Sequence, residues 1–199
     1  MDGQVRCPPS ISSERIASWH SNSPRPTSKI QSFCCATKRL AERAIAQATD
    51  PQLYQRLDED ANSIAIVMQH MAGNMKSRWT NFLSEEGEKP WRDRHREFEQ
   101  PPSTRQALLQ RWEEGWDCVF QALESLTDAD MSRTVSIRGE AHSVTQAINR
   151  QIAHYADHCG QIVLLAKHFQ HAQWTSLTVP KGKSAEFNAK VRAREASQR

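Results

Sequence analysis

The chain has 199 residues, of which 38% are hydrophobic, 25% charged and 7% aromatic, and its formal net charge is +3. That length suits one domain with tails, the composition excludes a wholly disordered or collagen-like chain, and the longest apolar run, Ile162 to Ala166, falls far short of the ~20 residues of a membrane-spanning helix. Six Lys or Arg against two Glu between Lys181 and Arg199 account for the basic balance, so the folded part carries no basic excess and nucleic acid is not an expected partner.

Residues 1–28 are rich in Ser, Arg and Pro and lack an apolar stretch, which predicts a disordered extension without a secretory signal. The five cysteines, Cys7, Cys34, Cys35, Cys118 and Cys159, form no CxxC pair and no regular framework, as expected of a reduced, cytoplasmic protein. Proline is absent from 52–89 and from 103–179, and proline-free stretches are where long helices can form. The first helical period, about 30–48, runs through Ile30, Phe33, Leu40, Ala44 and Ala48 and stops at Asp50-Pro51. The second, about 63–84, has Asn62 as its expected N-cap and a stripe of Ile64, Val67, Met68, Met71, Met75, Trp79 and Phe82. Residues 85–102 read as a long loop of mixed charge around Trp91 and Phe98.

A third helix, about 104–126, opens on the capping-box spacing of Ser103 and Gln106 and carries Leu109, Trp112, Trp116, Val119, Leu123 and Leu126. Thr134 to Ile137 alternates and reads as a short extended segment, part of a long crossover. The fourth helix, about 144–170, opens on Ser143 and Gln146 and carries Val144, Ile148, Tyr155, Ile162, Leu165 and Phe169. Four such stripes must bury one another, so the expectation is an all-α four-helix bundle over 29–175, followed by a basic tail over 176–199.

Two histidines stand out on the fourth helix. His154 and His158 are four residues apart, on neighbouring turns of the inward side beside Ala147, Gln151 and Leu165, and such a pair can reach one metal ion. A third ligand must come from another helix, and His70 is the candidate, at the head of a polar strip of Asn74, Ser77 and Asn81. Three histidines would leave coordination positions open, the mark of a catalytic rather than a structural site. The plainer alternative is a set of hydrogen-bonded core histidines. Asn74 and Gln151 are placed near the candidate site by wheel position alone, as groups behind the ligands or facing a substrate. Imidazole suits zinc, nickel, iron and manganese alike. Motifs for a nucleophile elbow, a phosphate-binding loop and a dinucleotide site are absent.

The segment Ser63 to Met75, with Arg78-Trp79, Gly87 to Arg94, Ile137 to Glu140, Ala147 to Ile162, Pro180 to Ser184 and Phe187-Asn188, resembles the DinB-like proteins, over about 30–189. The nearest likeness is to a small bacterial subgroup of unassigned function. The resemblance implies a DinB-type four-helix bundle, often homodimeric. It also implies a divalent ion such as Zn²⁺ or Ni²⁺ on His70, His154 and His158. It further implies S-transfer from a low-molecular-weight thiol to a small-molecule electrophile, because the superfamily includes bacillithiol- and mycothiol-dependent enzymes. The alternative within the same fold is a metal-binding or stress-related interaction module without turnover. The extension at 1–28 and the Cys34-Cys35 pair depart from the family pattern.

Overall fold

The computed structural model describes residues 26–196. The expected disorder at 1–25 lies outside the described residues. The elements are α1 (Pro26–Ile45), a short α2 (Asp50–Tyr54), α3 (Ile64–Trp79), α4 (Arg105–Ser125), β1 (Thr134–Ile137), β2 (Glu140–Ser143), α5 (Val144–Gln170) and α6 (Ser184–Arg192). The protein is mostly helical. Helices α3 and α4 pack together, as do α1 and α5, with further contacts between α3 and α5 and between α1 and α4. No described helix is long and apolar enough to cross a membrane.

Helix α3 sits at the centre, and both its apolar and its polar sides are buried, including Gln69, His70, Asn74, Ser77 and Arg78. Its N-cap is Ser63 rather than the expected Asn62, and the Ser63 hydroxyl accepts from Ile66 N at 3.2 Å. Gly115 of α4 lies against α3 so closely that a Cβ there would stand 2.9 Å from Ala72 Cα. Trp112, Trp116 and Tyr155 are fully buried. Trp79 Nε1–H donates to the Tyr155 hydroxyl at 2.7 Å, and that hydroxyl donates to Asn74 Oδ1 at 3.4 Å, which ties α3 to α5.

The predicted stripe of α5 is buried throughout, and its Ser143–Gln146 capping box is formed in both directions; the predicted stripe of α3 is buried from Ile64 to Trp79, where the helix ends, short of the expected 84, and leaves half-buried Phe82 beyond it. The α4 cap falls on Thr104, whose hydroxyl accepts from Ala107 N at 3.2 Å, one residue later than expected. The α1 stripe differs more. Phe33 is 47% exposed, and the buried residues of α1 are Thr27, Cys34, Lys38, Ala41, Ala44 and Ile45, with buried Ala48 just past its end. Buried Lys38 is paired with both Glu42 and Glu113, so a polar residue occupies a core position that an apolar pattern passes over. Helix α1 also begins at Pro26 and takes in residues 26–28, which composition alone assigns to the extension.

The mostly helical chain also carries one two-stranded antiparallel hairpin, which the all-α expectation does not include. The segment Thr134–Ile137 pairs with a second strand, with Val135 opposite His142. Arg138 (φ 56°) and Gly139 (φ 76°) make the tight turn, whose left-handed backbone matches the twist of paired strands. The tail contains α6, none of whose residues is buried.

Candidate metal centre

His70 comes from the middle of α3, and His154 and His158 from adjacent turns of α5. His70 is buried and the other two are partly exposed. His70 Nε2 lies 3.3 Å from His154 Nε2, which lies 3.1 Å from His158 Nε2. One ligand atom from each ring lies within 4.8 Å of the others. Two nitrogens each about 2.0–2.1 Å from a tetrahedral ion stand roughly 3.3–3.4 Å apart, close to both of these separations.

The far side of each ring decides which way its lone pair points. Glu97 Oε2 lies 2.9 Å from His70 Nδ1, and a carboxylate only accepts, so Nδ1 is the donor, and in the tautomer this selects Nε2 is the bare nitrogen. Gln161 donates through its amide nitrogen to Asp157 at 3.0 Å, which turns its oxygen to His158 Nδ1 at 3.2 Å. His158 Nδ1 is therefore the donor there and its Nε2 is bare as well. A proton on His154 Nε2 can serve one of these two lone pairs at a time. A cation among the three rings satisfies all of them, so the donor set fits a divalent ion.

Burial, with smaller contributions from His158 and His70, pushes His154 down to about 3, and burial first also lowers His158. Neutral imidazole is the form that ligates metal. Burial disfavours the charged form of Glu97, but hydrogen bonds from Arg92 and His70 outweigh it and hold the carboxyl below its ordinary value. Arg92 grips Glu97 with two bonds of 2.8 Å, from Nε to Oε1 and from Nη2 to Oε2.

Glu97 and Arg92 are the site residues that sequence reasoning missed. Both belong to the charged loop at 85–102, which folds back onto α3 through a 3₁₀ turn at Arg96–Phe98. Gln69 Nε2 holds the backbone carbonyls of Arg96 and Glu97 at 3.0 and 2.9 Å. Ser77 Oγ donates to Gly87 O at 2.8 Å and accepts from Lys89 N. Gly73 leaves room for the carboxylate: a Cβ there would stand 2.7 Å from Glu97 Cδ and closer still to Oε1. Phe98 packs on His70 with ring centroids 4.7 Å apart. The only sequence signal is an acidic residue among arginines beside an aromatic one.

Asn74 and Gln151 are both buried, as wheel position suggests, yet neither hydrogen-bonds to a histidine of the cluster among the described residues. Asn74 accepts from Tyr155. Gln151 Oε1 has no partner among the described residues. Cys159 beside His158 is buried, with its thiol pushed up to about 12 by burial first, in keeping with a packed core thiol.

The family described as "Protein of unknown function (DUF1572)" matches residues 27–183, which takes in the four long helices but for Pro26, the charged loop and all three histidines, and stops before α6. No curated protein and no solved structure matches the chain.

Proposed function

We propose that this chain, which belongs to the DUF1572 family, binds a divalent metal ion through Nε2 of His70, His154 and His158 and is a metal-dependent thiol S-transferase of DinB-like type. The observation that carries the metal reading is the meeting of three imidazole nitrogens, two of them held bare by acceptors on the opposite side of the ring. Zinc or nickel is the preferred ion, since both accept imidazole, and iron and manganese are the alternatives. The four long helices and the sequence likeness support a DinB-type four-helix bundle.

A divalent ion held by only three protein ligands supplies positive charge at an open position, which lowers the pKa of a thiol from its free value of ~8.5. The protein's own part is to aim the rings and, through burial, to favour the neutral form of His154 and His158. Glu97 holds the His70 proton on Nδ1, and Arg92 neutralises Glu97 so that the carboxylate stays ionised while buried. Phe98 packs against the His70 ring, with centroids 4.7 Å apart.

Elemental analysis of untagged protein should find about one divalent ion per chain, and His154→Ala should lose most of it while keeping its helical circular dichroism. Full metal retention by that variant would sink the metal reading. Metal-dependent consumption of a low-molecular-weight thiol in the presence of an electrophile tests turnover; metal content without consumption would leave a binding module.

A further inference from the structure

Two of the three histidines have a partner on Nδ1; His154 does not. Its Nδ1 is buried and has no hydrogen-bond partner among the described residues. Among the other described residues with buried unpaired polar atoms, two matter to His154. Gln151, 3% exposed, leaves Oε1 unpaired, and Arg78, 4% exposed, leaves Nε and Nη1 unpaired. Gln151 and Arg78 line one small cavity, together with Phe82, Gly87, Ser136 and Ala147. Gln151 is three residues before His154 on α5, about 4.5 Å along the axis and on the same side of the helix. Side chains on a helix lean toward its N-terminus, which for His154 is the direction of Gln151.

The three groups are chemically complementary. Arg78 only donates, the Gln151 carbonyl oxygen has two lone pairs, and His154 Nδ1 becomes a donor once Nε2 is given to a cation. Buried polar groups left unpaired are costly, and ligating histidines ordinarily donate their second nitrogen to a fixed acceptor. The existing pairs supply the pattern: Glu97 takes that role for His70, and Gln161 for His158.

Resting on the three-histidine reading, we propose that Gln151 is the positioning residue of His154 in the metal-loaded protein: its Oε1 accepts from His154 Nδ1–H with one lone pair and from Arg78 with the other. Arg78 is itself held by Glu88, at 3.0 Å, and Glu88 also bonds Arg92 at 3.3 Å. One carboxylate then anchors two arms, one reaching His70 through Arg92 and Glu97, the other reaching His154 through Arg78 and Gln151.

The test uses Zn²⁺ alone as probe. Competition with a chelator should give Gln151→Leu an affinity lower than wild type by about 10–100-fold, while Gln151→Glu, which keeps an acceptor, stays within a few-fold of wild type. Nitrogen-15 NMR of zinc-loaded wild type should show His154 protonated at Nδ1, with a proton slow to exchange that becomes fast in Gln151→Leu. A purely structural role would lower thermal stability without moving that proton. Equal zinc affinity for wild type and Gln151→Leu, or a fast-exchanging Nδ1 proton in wild type, overturns this proposal alone. Failure of wild type to bind zinc overturns the three-histidine reading, and this proposal with it.

Discussion

Glu97→Gln removes one charge and almost no volume from the side chain that holds both Arg92 and His70. The carboxylate accepts three charge-assisted bonds, at 2.8, 2.8 and 2.9 Å. An amide keeps one oxygen and brings two N–H donors in place of the other. If the oxygen faces His70, the amide nitrogen meets Arg92, donor against donor. If the oxygen faces Arg92, the amide nitrogen meets His70 Nδ1 and drives the ring proton onto Nε2, the metal-facing nitrogen. Either way a buried donor is left unpaired, at about 1–3 kcal/mol, and the guanidinium loses its close countercharge. Loss of a carboxylate that orients a ligating histidine typically weakens metal binding by about 10–100-fold. Zinc affinity by chelator competition, with thermal unfolding of metal-free protein in parallel, measures both effects. The expected result is at least a tenfold loss of affinity together with a lower melting temperature. Wild-type affinity in a folded Glu97→Gln protein would refute the claim that Glu97 sets the His70 tautomer.

Gly73→Ala should push the Glu97 carboxylate away from His70 and weaken zinc binding, even though alanine favours the helix by about 1 kcal/mol; unchanged affinity by the same competition assay would contradict the tight fit at that position. Gly115→Ala should destabilise by about 1–3 kcal/mol in urea unfolding, because the new methyl group meets the α3 backbone at Ala72 rather than a movable side-chain tip; a stabilised variant would show that α3 and α4 can move apart freely. Glu86 accepts from the backbone N–H groups of Glu88, Arg138 and Gly139 and from Ser136; burial opposes its charge, but these bonds bring its carboxyl to about 2 from an unfolded value of 4.5. Its contribution is therefore complete above about pH 4.5 and fades as pH falls toward 2, so Glu86→Gln should lose stability at pH 6 and differ little from wild type near pH 2; a constant difference across that range in urea unfolding would count against the carboxylate as the cause.

The sequence was most legible where one face of a helix is apolar. The stripes of α3 and α5 follow from residue spacing, and the same spacing brings His154 and His158 onto one side and toward His70. It was least legible where polar groups are buried. Lys38 lies inside because two acidic residues meet it, one of them 75 residues away, and no local period encodes that partnership. Glu97 escapes for the same reason, since a loop residue reaches His70 only when the whole loop is fastened by Gln69, Ser77 and Gly87. The second hairpin strand, Glu140–Ser143, carries too little apolar signal to announce itself, with burial only partial at His142 and Ser143. Caps shift by one residue where two adjacent hydroxyl or amide side chains compete, as at Asn62-Ser63 and Ser103-Thr104.

Helix α3 is enclosed by protein on nearly every side, and His70 sits midway along it. Its backbone amides should open to solvent only when the molecule as a whole unfolds. Anything gripping the His70 ring in the native state alone adds its free energy to that global opening, in proportion to the logarithm of its concentration over its dissociation constant. The lifetime of the entire chain against proteolysis would then follow the supply of whatever ion occupies this one ring, making durability in the cell a readout of metal availability.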